Sequence, residues 1–379
     1  MKRFRLEDIA AWVLFAFVGA IQVSIFAAEG LFVLLALLWL ALLVTRRARF
    51  AAPPFFWPLL AYAGLTLVSA VFSVEPATSL VDCKQLLLFA VVPITYEVAR
   101  GNRARMAMTV AITVGAASAA FGIVQYGILH FNHLGQRVHG TMGHYMQYSG
   151  LLMMVTTVAA SRVLFEKRDR AWPALMLPAL LVALALTLTR SAWVGTSVAI
   201  AVLLLMRDFR LIGALPVLLA LFFAVAPQQV TDRMYSMLDL RDPTSRDRVA
   251  MLREGARMVM ANPLTGVGPN MVEKVYVRFR DPEAVERVNP HLHNVPMQIA
   301  AERGLLALGA WIWFVGSAVA GLVGLLKQER VGVLAVAGLG AIAGMLGAGM
   351  FEHNFGASLF LLFFLVLITL PFAAARPRS

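Results

Sequence analysis

Apolar runs long enough to cross a lipid bilayer recur from one end of the chain to the other. A helix needs about 20 predominantly apolar residues to span the hydrocarbon layer. Runs of that kind lie near 9–28, 30–45, 54–73, 80–98, 106–129, 146–165, 172–189, 191–206, 211–227, 296–325, 331–350 and 356–374. In lipid every backbone polar group must be satisfied within a helix or a closed barrel, so a chain of this kind has few folds open to it. The pattern predicts an all-α, polytopic membrane protein with about 12 transmembrane helices. Composition excludes the soluble alternative: 60% of the 379 residues are hydrophobic and 14% charged, against about 45–50% and about 25% in soluble domains. Lys2, Arg3 and Arg5 before the first run look like the start of a signal peptide. That run is too long for one and a second follows at once, which predicts a retained first span.

The placement of charge orients the spans. With a cytoplasmic N-terminus, one side of the membrane collects Arg46, Arg47, Arg49, Arg100, Arg103, Arg105, Arg162, Lys167, Arg168, Arg170, Arg207, Arg210, Lys327, Arg330, Arg376 and Arg378, besides the N-terminal cluster. The short connections on the other side hold only Arg137 and Arg190, with Lys84 at a span end. Cytoplasmic loops are enriched in Lys and Arg, so both termini are expected inside. The same asymmetry accounts for the net charge of +12 without a nucleic-acid partner. Cys83, the sole cysteine, rules out an internal disulfide and a cysteine metal cage.

One outward segment is too long to be a connector. The layout expected is 1–227 with transmembrane helices 1–9, a helical extracytoplasmic insert over 228–295, and 296–379 with helices 10–12. In the insert Ser245 is placed to cap a helix running to about Met260, stopped by Asn262-Pro263. Gly266-Val-Gly268-Pro269 makes a turn, and Asn270 to Arg280 forms a second short helix.

The polar chemistry gathers on this outward side. All seven histidines fall there: His130, His133, His139, His144, His291, His293 and His353. Between Ala171 and Met206 the only charge is Arg190. One helix of that length would measure about 54 Å, so the segment folds as a hairpin with Arg190 at its tip. Such an arginine either snorkels to headgroups or meets an anion such as phosphate through bidentate hydrogen bonds. Arg246, Arg253 and Arg257 share one face of the first insert helix. Arg253 and Arg257 suit a solvated, salt-bridged surface, whereas Arg246 lies in the first turn, where an anion is welcome. His293, in Pro290-His-Leu-His-Asn294, is either structural or a general base working near neutral pH. His291 and His293 lack a third ligand at useful spacing, so no metal is assigned. The connection 130–148 contributes Arg137 and Tyr148, and the turn Phe351-Glu-His-Asn-Phe355 contributes Glu352.

No phosphate-binding loop, zinc-protease helix, nucleophile elbow or dinucleotide fingerprint is present. What is present is a set of loose motifs in a fixed order. Leu188-Thr-Arg190-Ser-Ala-Trp193 sits at an outer hairpin and Ser245-Arg-Asp-Arg248 opens the insert helix. Asn262-Pro-Leu-Thr-Gly-Val-Gly268 follows, then His293-Asn294 and, nine residues on, Gly304-Leu305. With an Arg-x-x-Gly-Thr pattern beginning at Arg137, the chain resembles the O-antigen ligase and O-antigen polymerase superfamily of bacterial membrane glycosyltransferases, the ligase branch most of all.

That resemblance implies a C-type glycosyltransferase-like fold in the bacterial inner membrane with a periplasmic active site. It implies an O-antigen ligase that moves O-antigen glycan from undecaprenyl diphosphate to a sugar hydroxyl of lipid A–core oligosaccharide. Inversion at the anomeric carbon is expected, with no cofactor and no metal. His293 and Arg190 are the expected catalytic residues, Arg190, Arg246 and Arg137 the diphosphate binders, and Asn294, Tyr148 and Glu352 their supports, with Asn294 or a backbone carbonyl fixing the His293 tautomer. Partners are the lipid-linked donor, the lipid A–core acceptor and membrane lipids, without nucleic acid. O-antigen polymerase and protein O-oligosaccharyltransferase share this chemistry. A transporter or lipid flippase is the alternative of another class, and the scarcity of ionisable residues inside the spans speaks against it.

Overall fold

The computed structural model of the chain describes residues 6–214, 216, 220, 224, 226–237, 242–329 and 331–376. The protein is an all-α polytopic membrane protein, with a two-residue β-hairpin as its described strand content. In chain order the helices are α1 (Leu6–Ala20), α2 (Ile25–Val44), α3 (Phe56–Val71), α4 (Pro76–Asp82), α5 (Val91–Val98) and α6 (Asn102–Gly127). The hairpin β1 (Asn132–His133) and β2 (Gln136–Arg137) precedes α7 (Tyr145–Phe165), α8 (Ala171–Leu186) and α9 (Arg190–Arg207). Three insert helices follow, α10 (Gln228–Tyr235), α11 (Pro243–Ala261) and α12 (Val272–Phe279). The chain closes with α13 (Val295–Leu325), α14 (Gly332–Gly349) and α15 (Ser358–Ala375).

Among the described residues eight helical segments are long and apolar enough to cross a membrane, and α3 and α8 are shorter apolar helices. The fifteen-residue α1 lies where a first span was expected. Of the expected span at 211–227, residues 215, 217–219, 221–223 and 225 lie outside the described residues. Two boundaries differ from the reading of apolar runs alone. The first two runs divide at 21–24 rather than at 29, because Ser24 Oγ accepts from Ala27 N at 3.3 Å and starts α2 there. The run at 80–98 is broken: a 3-10 segment, Cys83–Ala90, separates α4 from α5.

The most apolar helix is the most central. Almost every residue of α15 from Leu359 to Ala373 is buried, as expected of a helix that is hydrophobic all round. It packs against α5, α6, α7, α13 and α14, while the equally apolar α2 leaves most of its surface to lipid.

The motif around Gly266 and the one around Gly304 form a single joint. α13 is interrupted at Gly304 (φ 80°, ψ 172°), which takes carbonyls before the break out of the helical ladder. A broken helix is tolerated at membrane depth only when its freed groups are bonded again. Here Val267 N donates to Ala301 O and Gly268 N to Glu302 O, both at 2.9 Å, and Leu305 N donates to Pro263 O at 2.8 Å. Ser69 Oγ of α3 donates to Thr265 O and is also within reach of Glu302 O. A Cβ on Gly304 would meet the Leu264 carbonyl, and one on Gly266 the Glu302 carbonyl. The joint sets the direction of the first segment of α13, which begins directly after His293.

The insert has its own small core of Met251, Met258, Met271, Val275, Tyr276 and Leu292, continued by Ala301 of α13. The polar face of α11 secures the 281–289 loop. Asp247 accepts from Val285 N, Glu286 N and Asn289 Nδ2, and Glu254 accepts from Asp281 N. Arg253 and Arg257 complete the frame by pairing with Glu283 and Asp281, as their salt-bridged reading predicts.

Candidate functional site

Arg190 is the first residue of α9, in the turn between α8 and α9. Leu188 just before it takes a left-handed backbone (φ 53°), which turns the chain sharply at the hairpin tip. The side chain is 5% exposed and points into the protein, not toward headgroups. Its Nη1 donates to Ser236 O at 3.0 Å and its Nη2 to Asp242 Oδ1 at 3.3 Å. Nε is buried with no hydrogen-bond partner among the described residues. Asp242, not Ser245, caps α11: its Oδ1 accepts from Thr244 N and Ser245 N, and Pro243 occupies the first helical position.

That shift of the cap moves the arginine face. Ser245, Arg248, Val249 and Leu252, at helical spacing, line a cavity of about 270 Å³ together with Arg190 and His293. Arg246 is exposed and does not line it. Of the two arginines in the motif, Arg248 is the one the fold brings to the site. Arg137, in β2, lies 4.3 Å from the centroid of the Tyr145 ring, and Arg233 of α10 joins the group from the insert.

The four guanidinium groups feel one another. Burial, and then the charges of Arg190 and Arg137, push Arg233 down to about 10. Burial lowers Arg248 and Arg137 as well, and Arg190 adds to both drops. Arginine keeps its proton in this range, so the crowding is a standing repulsion that a bound anion would relieve. Within ion-pair distance of the four, among the described residues, Asp242 beside Arg190 is the one carboxylate. Arg233 Nε, like Arg190 Nε, is buried without a partner.

The same cavity is lined by His293, itself in a left-handed conformation (φ 47°). A non-glycine residue there costs on the order of 1–3 kcal/mol and needs rigid neighbours. It has them. Leu292 N donates to Gln298 Oε1 at 2.7 Å, and Asn294 caps α13 by accepting from Met297 N at 2.9 Å. His293 Nδ1 lies 3.0 Å from Glu352 Oε1, with the two side chains 19% and 14% exposed. A carboxylate at Nδ1 favours the tautomer with its proton there and leaves Nε2 as a proton acceptor. Glu352, rather than Asn294, is the group that orients the imidazole. Asn294 works one step back: its Nδ2 donates to Met350 O at 3.1 Å and holds the Glu352 turn in place. Tyr148 is buried outside the cavity, where it donates to Ser118 O and packs on Gly140 and Gly122.

Two further imidazoles back this wall. The rings of His291 and His293, and of His291 and His353, have centroids 5.7 Å apart. Burial pushes His353 down to about 3, with Arg303 and His291 adding to the drop, and burial lowers His291. Both stay neutral near neutral pH. Among the described residues no three His, Cys, Asp or Glu side chains converge as a metal-binding set.

The cavity thus brings a carboxylate-backed imidazole together with a surplus of guanidinium charge, an arrangement that can take a proton from one reactant and hold an anion of another. Sequence reasoning missed Arg233 and Arg248. For Arg248 a signal existed, since Asp242-Pro243 is a cap followed by proline at the first position, and Val249 and Leu252 mark the inward face. No curated protein matches the chain. A family model described as O-antigen ligase matches residues 174–312, a segment that holds Arg190, Arg233, Arg248, His293 and both halves of the glycine joint. Over that segment the chain is similar to the O-antigen ligase family.

Proposed function

We propose that the protein is an O-antigen ligase, transferring O-antigen glycan from undecaprenyl diphosphate to a sugar hydroxyl of lipid A–core oligosaccharide. The reaction takes place on the periplasmic side of the inner membrane, with both termini in the cytoplasm. His293 Nε2 removes the proton from the acceptor hydroxyl as its oxygen attacks the anomeric carbon. The bond from that carbon to the diphosphate breaks, and its electron pair leaves with the diphosphate. Arg190 and Arg248 face the charge that develops there, with Arg137 and Arg233 reinforcing the field. Glu352 stabilises the imidazolium that forms. A single displacement inverts the anomeric configuration, and the guanidinium cluster supplies the charge that a metal ion supplies in other transferases.

The observation that carries this reading is the convergence on one cavity of Arg190, Arg248 and His293, all three within the matched segment, with Glu352 orienting His293. The deciding assay combines the purified protein with undecaprenyl-diphosphate glycan and rough lipopolysaccharide. Glycan appearing on the lipid A–core supports ligation. Chains that lengthen on the carrier without the acceptor would make the protein a polymerase, and activity lost in EDTA and restored by a divalent ion would overturn the metal-free mechanism.

A further inference from the structure

At the end of the bundle away from the insert, a cavity of about 1030 Å³ opens where the ends of α6, α7, α8 and α15 meet the turn between α13 and α14. Part of its lining is apolar, with Met106, Val331, Leu334, Ala374 and Ala375. The rest is polar and includes Arg105, Arg162 and Arg376. Two of these arginines are spent inside the protein. Arg162 gives Nε and Nη2 to Glu166 and Nη1 to Thr109, and Arg376 Nη1 bonds Glu97 and Tyr96 O. Arg105 is different. Its side chain is 43% exposed, and its ion-pair contact among the described residues, Nη1 to Glu166 Oε1, is 3.6 Å long, beyond hydrogen-bond range. The turns at 166–170 and 326–329, which supply Asp169 and Gln328 to the cavity, also carry Lys167, Arg168, Arg170 and Lys327, all exposed, against the exposed carboxylates Asp169 and Glu329. Trp172, at the start of α8, lines the cavity half-exposed, its Nε1 donating to Thr113 Oγ1 at 3.0 Å.

We propose that this cavity binds the headgroup of an anionic phospholipid, with Arg105 as the principal donor to its phosphate and Met106, Trp172, Val331 and Leu334 beside its glycerol and upper acyl chains. Three observations select that ligand. The cavity lies among helix ends, which is where a spanning bundle meets the membrane surface, and an amphipathic indole is the ring expected at headgroup level. Its lining is part cationic and part apolar, which suits a phosphate joined to hydrocarbon and leaves a soluble anion half unserved. The surplus of exposed Lys and Arg on the two bordering turns favours a headgroup with net negative charge over a zwitterionic one, as basic pockets between spans do. Its volume lies at the upper end of ligand sites, about 300–1,000 Å³, room for a headgroup with its glycerol rather than for a lone ion. The site calls on no residue of the arginine–histidine cavity and does not depend on the transferase reading. What it adds is a lipid that ties together six helices at the end of the bundle where no chemistry is placed.

The test titrates the full-length, delipidated protein in detergent with phosphatidylglycerol, with phosphatidylcholine of the same acyl chains and with glycerol 3-phosphate, and reads binding by native mass spectrometry. Saturable binding of phosphatidylglycerol, at least tenfold tighter than of either other probe, is the expected result. Arg105→Gln keeps most of the stem and removes the charge, and it should weaken phosphatidylglycerol about tenfold or more, the worth of a charge-assisted hydrogen bond. Arg49→Gln, at an exposed arginine of the same end that does not line the cavity, should stay within about twofold of wild type, as a distant surface charge does. Phosphatidylcholine binding as tightly as phosphatidylglycerol overturns the anionic site. Glycerol 3-phosphate binding as tightly makes the ligand a soluble phosphate and overturns the lipid. Equal losses in the two variants would show a diffuse surface charge and not a built cavity. The comparison of the three probes on the wild-type protein decides the matter even where a variant fails to fold, and it needs no transfer activity, so its outcome is separate from that of the ligation assay.

Discussion

The two ends of the helical bundle both carry clustered arginines, and they treat them in opposite ways. At the end away from the insert five arginines are neutralised by the protein itself. Arg103 meets Asp8 at 2.7 Å, Arg162 and Arg105 share Glu166, and Arg376 and Arg100 share Glu97. At the insert end, among the described residues, Arg137, Arg190, Arg233 and Arg248 have Asp242 between them, paired with Arg190 alone. The same residue type serves packing where its charge is cancelled and chemistry where it is left in surplus. If that contrast is right, substitutions at the two ends fail in different currencies: catalytic rate at the insert end, stability at the other.

The largest effect is expected at the histidine that faces the surplus. His293→Ala removes the proton acceptor and should lower glycan transfer by about 10²–10⁴-fold, with expression and thermal unfolding close to wild type. Ladder formation on lipopolysaccharide in cells and initial rates with purified protein both read this out. Wild-type rates in the variant would take His293 out of the mechanism. Arg162→Ala, at the neutral end, should do the reverse. Both Arg162 and Glu166 are buried, so the substitution leaves a carboxylate without its main partner, and a loss of about 3–5 kcal/mol is expected. Denaturation in detergent should show it, while the fraction that remains folded keeps its kcat. A drop in kcat larger than the drop in folded protein would break the comparison.

Arg248→Ala tests the surplus directly. Removing one preorganised donor to a developing anion costs about 10²–10³ in kcat in other enzymes, and a similar loss is expected here, smaller for Arg233→Ala because Arg233 does not line the cavity. His353 tests the burial behind the imidazole wall. Its folded-state value of about 3 lies below the ordinary 6.5, so the unfolded chain binds a proton that the native one refuses. Stability from this group is therefore complete above about pH 6.5 and is lost as pH falls toward 3. At pH 5 the loss should be about 2 kcal/mol, and His353→Gln should show a flatter decline over the same window. Parallel curves for the two proteins would show that His353 is not held neutral.

Much of the frame was legible in the sequence because lipid leaves so little choice. Charge-free length alone placed the hairpin and put Arg190 at its tip. The site's inner connections were not legible, for identifiable reasons. Glu352 reaches His293 across 59 residues, and no local pattern announces a pairing made by the return of a later helix. Gly304 and Gly266 look like two separate turns until the carbonyls freed by one are seen to be bonded by the loop containing the other. The break at 83–90 was hidden because apolarity measures the cost of leaving lipid, not the regularity of the backbone within it. Arg233 lies on a helix of eight residues that has no capping side chain, too short for periodicity to speak.

The smallest predicted effect is the one that separates the two arginines of the insert motif. Arg246 and Arg248 are two residues apart, and the placement of the cap decides between them. With Ser245 as cap, Arg246 would sit in the first turn, beside the helix N-terminus. With Asp242 as cap the helix starts a turn earlier, Arg246 faces outward, and Arg248 falls on the face shared by Val249 and Leu252. Arg246→Ala should therefore change stability by less than about 0.5 kcal/mol, as exposed substitutions do, and leave transfer rates within about twofold. Measured beside Arg248→Ala in the same assay, it turns a cap one turn away into a difference of about two orders of magnitude in rate. Equal losses in the two variants would mean that the field outside the cavity matters as much as the contacts within it.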